Sequence, residues 1–317
     1  MAVIPALTER VAAPRPQGGK MRRREAIAGL LFVSPWLLGL LIFTAYPVIA
    51  VAYLSFTNYN IIQSPQWVGL QNYHAMVTAD PDFWNSVVNS TYYAIISVVL
   101  GLAGSLLLAL LMNLRARGIG VYRTLLYLPG LVPPVAGTIV FILLLDPSNG
   151  LINVLLGRLG IPTPGWLADP MWSKPALILL SLWGIGTPAL IFLAGLQEVP
   201  QSLLEAAMID GAGPLQRFWH VTIPLLSPVI LFNLVTGIIY SFQVFTQSLI
   251  VGGSTGDPAG STLMFMVLIY NYAFKYFQMG YASALAVVLF LVALVLTLVI
   301  FRSSRAWVHY EAAARGE

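Results

Sequence analysis

Residues 26–79 contain no Asp, Glu, Lys or Arg, and this uncharged stretch constrains the fold more than any other feature of the sequence. A charged side chain costs about 2.5–3.5 kcal/mol at the centre of a bilayer, so long uncharged runs mark membrane spans. Similar runs recur along the whole chain, and only 9% of its residues are charged; a soluble domain has about 25%. The sequence therefore predicts an all-α integral membrane protein with several spans.

The uncharged runs predict six transmembrane helices, each with at least the ~20 residues that cross a bilayer. They cover about residues 26–53, 85–114, 122–145, 175–197, 221–251 and 280–301. Two prolines in the first helix, Pro35 and Pro47, predict kinks there. Pro129, Pro133 and Pro134 predict a kink in the third.

The distribution of basic residues predicts the orientation. All but three of the 16 Lys and Arg residues fall on one side if both termini lie in the cytoplasm; the three are Arg158, Lys174 and Lys275. Cytoplasmic loops carry the excess of positive charge. The predicted division is a cytoplasmic, disordered tail over residues 1–24, a six-span domain over 25–302 and a cytoplasmic tail over 303–317. Residues of about 200–213 then form a cytoplasmic helix between the fourth and fifth spans.

Several classes of chemistry have no support in the sequence. The only Gly-Lys pair, Gly19-Lys20, precedes Met21 instead of Ser or Thr, so no phosphate-binding P-loop is present. Residues 252–256 match G-x-S-x-G but follow a membrane helix, without the strand–turn–helix context of a hydrolase. The chain has no cysteine, and its three histidines lie outside the spans. We therefore predict no catalytic residue, no metal site and no nucleic-acid partner; an intramembrane hydrolase is the least favoured alternative.

Neutral polar residues follow one helical face of the fifth span, and others cluster in the fourth. On the fifth they recur at i, i+3, i+7, i+10 and i+14: Asn233, Thr236, Tyr240, Gln243 and Gln247. In the fourth, Trp183 and Thr187 lie beside helix-loosening Gly184, Gly186 and Pro188. One interpretation is a path for a polar substrate, because an aromatic ring beside amides and hydroxyls suits a sugar. The other is packing between helices.

The predicted cytoplasmic helix contains the polar stretch that begins at Glu205. Ser202 and Glu205 have the S-x-x-E spacing of a capping box, and Gly211 with Gly213 ends the helix. A helix of two to three turns is unstable alone in water. It is either an ordinary solvated loop helix or one that docks on a partner.

This stretch resembles the EAA motif of the membrane subunits of ABC importers. The sequence Glu205-Ala206-Ala207-x3-Gly211 is followed by Ile223-Pro224. Further segments are similar to the carbohydrate-uptake permeases, specifically the six-span subunit that pairs with a second, homologous permease; they include Val68-Gly69-Leu70, Tyr122-Arg123-Thr124, Leu151-Ile152-Asn153 and Gly195-Leu196-Gln197. The resemblance covers nearly the whole chain.

The resemblance implies a prokaryotic plasma-membrane protein that imports a sugar or polyol by alternating access. Its partners would be a second permease, two cytoplasmic ATPases and an extracytoplasmic solute-binding protein. ATP and Mg would bind to the ATPases, so this chain needs no cofactor. The helix would couple to an ATPase through Glu205, Ala206, Ala207, Asp210 and Gly211. The alternatives are a glycerol-phosphate importer subunit and, in a different class, an autonomous channel or secondary carrier.

Overall fold

The computed structural model describes residues 19–114 and 117–309, and nearly all of its regular structure is helical, which confirms the all-α prediction. The predicted tails lie largely outside these residues, although α1 already begins at Gly19. The helices are α1 Gly19–Leu40, α2 Tyr46–Leu54, α3 Gln71–Thr78, α4 Pro81–Met112, α5 Ile119–Tyr127, α6 Pro134–Leu144, α7 Leu151–Arg158, α8 Pro170–Trp183, α9 Gly186–Glu198, α10 Gln201–Ile209, α11 Pro214–Arg217, α12 Ile223–Phe242, α13 Thr246–Gly252, α14 Phe265–Tyr270 and α15 Met279–Ser304. Two short antiparallel strands, β1 Thr57–Asn58 and β2 Gln66–Trp67, follow α2.

Four helical stretches are long and apolar enough to cross a membrane, and six spans result if each of two bent helix pairs counts as one. The four are Arg23–Leu54, Pro81–Met112, Pro214–Gly252 and Met279–Ser304. They match the first, second, fifth and sixth predicted spans. The first belongs mainly to a separate structural unit that ends at Val51, and none of the residues in its most apolar window is buried.

The two bent pairs coincide with the third and fourth predicted spans. Ile119–Leu131 and Pro134–Leu144 meet at 96°, and Pro170–Trp183 and Gly186–Glu198 meet at 49°. The first bend lies at Pro133 and Pro134, because proline lacks the N–H that would continue the helical hydrogen bonds. This confirms the predicted kink in the third span.

Two π-helical turns precede other prolines of the membrane segments. In each, the residue before proline donates to the carbonyl five residues earlier: Tyr46 to Leu41 and Ile223 to Phe218. Pro47 and Pro224 cannot donate to the carbonyls four residues before them. The widened turn therefore lets the chain pass the proline while remaining helical.

Helix α4 lies at the centre of the larger unit, which begins at Ala52. It packs against α8, α9, α12 and α14. One apolar cluster, around Phe83, Leu177 and Leu268, includes the beginning of α4. A second, around Met112, Phe192 and Leu226, packs the opposite end of α4 against α9 and α12.

The connection after α13, whose Gly-rich residues 252–258 predict a turn-rich linker, folds back onto α4. The Asn89 amide on α4 donates to the carbonyls of Gly260 at 2.8 Å and Leu263 at 3.2 Å. Its Oδ1 accepts from Lys174 Nζ at 3.0 Å. With only 2% of its surface exposed, Asn89 holds three segments together in the larger unit.

Asn89→Ala is expected to lower the thermal unfolding midpoint of the detergent-solubilised protein by several degrees. The substitution leaves the buried Leu263 carbonyl and the Lys174 ammonium without this partner, and each such group costs about 1–3 kcal/mol. The Gly260 carbonyl keeps its bond from the Asn85 amide at 2.9 Å. Differential scanning fluorimetry measures the midpoint. Asn149→Ala removes an exposed loop amide and should leave it unchanged. Equal midpoints for the two variants would show that Asn89 is dispensable for the packing.

Candidate functional site

A cavity of about 470 Å³ lies between α4, the junction of α8 with α9, and the second half of α12 with the start of α13. Its walls carry hydroxyls, amides and apolar side chains, and no charged residue of the described chain lines it. Such a site offers hydrogen bonds to a neutral polar molecule without an ionic partner.

The break between α8 and α9 forms one wall of this cavity. Gly184 ends α8 and α9 begins at Gly186. A Cβ on Gly186 would lie 2.7 Å from the Leu126 carbonyl oxygen, so only glycine permits this approach to α5. The break therefore allows the chain to change direction while packing closely on α5.

Six of the seven residues predicted for a substrate path line the cavity. They are Thr187, Asn233, Thr236, Tyr240, Gln243 and Gln247. Trp183 does not: its ring centre lies 5.4 Å from that of Phe141 on α6. As the last residue of α8, Trp183 precedes the break and packs towards α6 instead of the cavity.

The predicted polar stripe requires the fifth span to be one continuous helix, but the structure shows an interruption. Helix α12 ends at Phe242, Gln243 caps it, and α13 begins only at Thr246. The i+10 and i+14 positions therefore do not continue the face formed by Asn233, Thr236 and Tyr240. They still line the same cavity because the interrupted segment stays beside it.

Some polar side chains of α12 bond to carbonyls of their own helix, and others remain exposed. Asn233 Nδ2 donates to the Val229 carbonyl at 3.1 Å, and Thr236 Oγ1 donates to the Phe232 carbonyl at 2.8 Å. Tyr240, in contrast, is 73% exposed, and Gln243 is also exposed. These two side chains are therefore the most available for a solute.

Helix α10 contains the Glu205 stretch and has no buried residue. Glu205, Ala206 and Asp210 are exposed, and so are the apolar Met208 and Ile209. The predicted capping box is wrong. Pro200 is the N-cap and Ser202 lies within the helix, so Glu205 is too far along to complete the box. Proline suits the helix start because the first N–H groups need no partner in the helix.

A sharp turn connects α10 to α11. Gly211 has φ of +83°, a conformation that other residues rarely adopt, and Ala212 N–H donates to the Ala207 carbonyl at 2.9 Å. Gln216 Oε1 accepts from Gly213 N–H at 2.9 Å. The predicted segment of about 200–213 is thus a nine-residue helix followed by a fixed turn.

A concave surface of about 410 Å³ follows this turn, lined by Ala207, Asp210, Gly211, Ala212, Gln216, Arg217, His220 and Val221. Arg217 Nε is buried without a hydrogen-bond partner in the described chain. Buried donors are normally paired. The exposed apolar residues of α10, Met208 and Ile209, are the side chains here that a partner could cover.

The model of the family "Binding-protein-dependent transport system inner membrane component" matches residues 97–308. The chain belongs to this family. The matched residues include most of the cavity lining, α10 and the turn after it.

Curated relatives of this inner-membrane component match over nearly their whole length. The probable ABC transporter permease protein YesP of Bacillus subtilis is 41% identical over 91% of this chain and 94% of its own. The trehalose/maltose transport system permease protein MalF of Thermococcus litoralis is 34% identical over 90% of this chain and 96% of its own. The solved structure of a bacterial ABC transporter for alginate import shares the fold, with a TM-score of 0.78 and 24% identity over 90% of this chain and 97% of the other.

The inner-membrane component has cavity residues on α4 that the sequence reasoning missed. Tyr93, Ser97, Gly101 and Ser105 line the same cavity. They recur every four residues, which places small and polar side chains on one helical face. This spacing indicates a polar helical face, but serine is also common where membrane helices pack together, so the spacing alone does not indicate a cavity.

Proposed function

We propose that this chain is a membrane-spanning permease subunit of an ATP-driven importer for a neutral sugar or polyol. The cavity of about 470 Å³, with its uncharged polar lining, carries the proposal. A phosphorylated solute would favour a basic residue there, so the lining argues against glycerol phosphate. The relative named for trehalose and maltose supports a saccharide.

In this proposal, α10 lies in the cytoplasm and docks on an ATPase. Its exposed side chains, with the apolar Met208 and Ile209 among them, supply a surface for that partner. Glu205 would pair with a basic residue of the ATPase, Ala206 and Ala207 would allow close approach, and Asp210 with Gly211 would form the turn. ATP and Mg would bind to the ATPase, and this chain would bind neither.

The complete assembly would contain a second permease, two ATPases and an extracytoplasmic solute-binding protein, with both termini of this chain in the cytoplasm. Closure of the ATPases would move α10 and open the cavity outward to receive the solute. Hydrolysis would reset the cavity inward. This is alternating access of one site, with the chemistry performed by other subunits.

Affinity purification of the tagged chain from its native membrane tests the assembly. Native mass spectrometry is expected to show this chain, one second permease and two ATPase copies. Because Gly211 forms the turn that follows α10, the Gly211→Val variant is expected to lose the ATPases and keep the second permease. A chain that purifies without ATPase under every mild detergent would contradict the proposed assembly.

A further inference from the structure

A second and larger cavity, of about 980 Å³, lies at the other end of α4 from Met112 and Arg123. Residues 58–82 form one wall, and residues 272–281, which connect α14 to α15, form the other. Asp82 lines this cavity and Tyr93 lines the first one, and both belong to α4. They are 11 positions apart, which corresponds to about 16 Å at 1.5 Å per residue. The two cavities are therefore separate sites along one helix.

Hydrogen bonds connect the two walls of this larger cavity, which we call the outer cavity. Asp80 Oδ2 accepts from Tyr272 Oη at 2.9 Å and from Tyr281 Oη at 2.7 Å, and its Oδ1 accepts from Asp82 N–H at 3.0 Å. Burial and the bond to Asp80 raise the pKa of Tyr272, so its phenol stays a donor at neutral pH. The Asp80 carboxylate is thus a structural clamp between the walls.

Gly280 brings the walls into direct contact. Its N–H donates to the Tyr59 carbonyl at 3.1 Å, and a Cβ there would lie 2.0 Å from the Thr57 carbonyl oxygen. Two other lining residues, Ile61 and Phe277, have φ of +67° and +56°. Such strain in non-glycine residues persists only where the surroundings fix it, and it clusters at functional sites. The cavity is therefore formed before any ligand arrives.

The lining combines aromatic rings with amides. Five aromatic residues contribute, Tyr59, Tyr272, Tyr276, Phe277 and Tyr281, and Tyr276 and Phe277 are at least half exposed. Five amides also contribute: Asn58, Asn60, Gln71, Asn72 and Gln278. Exposed rings can pack on the C–H faces of a sugar, while amides donate to and accept from its hydroxyls.

The charge of the lining restricts the ligand further. Asp80 and Asp82 are its charged residues, and no Lys or Arg of the described chain lines the cavity. Lys275 is nearby but donates to Ser254 Oγ at 2.7 Å. An anionic ligand would meet two carboxylates without a compensating cation, which disfavours it. The volume lies within the roughly 300–1,000 Å³ of ligand pockets and accepts a small oligosaccharide.

We propose that this outer cavity is a second saccharide site, which holds neutral sugar units of the solute before they enter the cavity between α4, α9 and α12. The identity of the solute class rests on the proposed function; the site itself rests on the lining. Tyr276 and Phe277 stack on sugar faces, and Gln71 and Gln278 bind the hydroxyls.

Thiol protection tests this site, because the chain has no cysteine of its own. Ala79→Cys places one thiol in the cavity at a residue with no proposed contact to the sugar, and Asn149→Cys places one on an exposed loop outside it. The complete transporter in proteoliposomes, without binding protein, is treated with a membrane-impermeant maleimide. The probes are maltotriose, lactose and xylotriose, with trigalacturonate as the acidic counterpart.

At least one neutral probe is expected to slow labelling of the Ala79→Cys thiol threefold or more, with no effect on the Asn149→Cys thiol. Adding Tyr276→Ala should weaken the protection about tenfold in sugar concentration, and trigalacturonate should not protect. Absence of protection by all three neutral sugars, or equal protection by trigalacturonate, would overturn the proposal. ATP-driven sugar uptake by the same vesicles, measured in parallel after the binding protein is added, separates this failure from failure of the proposed function.

Discussion

Glu205→Lys is expected to reduce binding-protein-stimulated ATPase activity at least tenfold, while the chain still inserts and folds. Glu205 is exposed on α10, which has no buried residue, so its replacement should cost the fold little. At a docked surface, reversing the charge replaces attraction by repulsion of a basic partner. Breaking such a desolvated pair costs about 2–5 kcal/mol.

Phosphate release from the reconstituted complex measures this effect, with and without the binding protein. Glu25→Lys is the matched control, because it reverses an exposed carboxylate at the start of the first span. The control should retain wild-type stimulation. A second variant, Gly211→Val, should fail in the same way as Glu205→Lys, because a β-branched residue does not tolerate φ of +83°. Normal stimulation in both the Glu205 and the Gly211 variant would remove α10 and its following turn from the coupling role.

Tyr240→Ala and Gln243→Ala are expected to lower sugar uptake by roughly tenfold or more each, with assembly preserved. Both side chains line the cavity of about 470 Å³ and both are exposed. A hydrogen bond lost to a bound solute costs about 1–3 kcal/mol, which corresponds to roughly 5- to 150-fold. Neither residue belongs to the apolar clusters of the fold, so stability should change little.

Uptake of labelled sugar and size-exclusion profiles of the complex together test the cavity variants. Phe290→Ala removes an exposed aromatic of α15 outside the cavity and serves as the control. If the complex falls apart in the Tyr240 and Gln243 variants, these residues connect subunits and the alternative of helix packing is correct. If assembly and uptake both persist, the solute takes another path.

The spans could be predicted from the sequence because the cost of burying charge in a bilayer acts on each segment separately. The uncharged run of residues 26–79 indicates a span without knowledge of the neighbouring helices. The bend at Pro133 and Pro134 could be predicted for a similar reason, since the missing N–H of proline has the same effect whatever the neighbouring helices are.

The parts that could not be predicted depend on contacts between distant segments. Residues 252–258 are predicted only as a turn-rich linker. Nothing in the Gly-rich sequence reveals that amides of α4 bind the carbonyls of Gly260 and Leu263, which follow it. The sequence places Trp183 on the predicted substrate path, but the direction of its ring depends on how α8 ends and on Phe141. The predicted polar stripe over residues 233–247 requires a continuous helix, whereas α12 ends at Phe242.

Uptake into sealed proteoliposomes tests the central claim most directly. Vesicles contain either this chain alone or the chain with its second permease and ATPases, and labelled sugar is offered outside with the binding protein. We predict accumulation only in the complete complex with ATP and Mg inside the vesicle, and none when a non-hydrolysable ATP analogue replaces ATP. Uptake by the chain alone, or uptake independent of ATP, would contradict the account and identify a channel or secondary carrier.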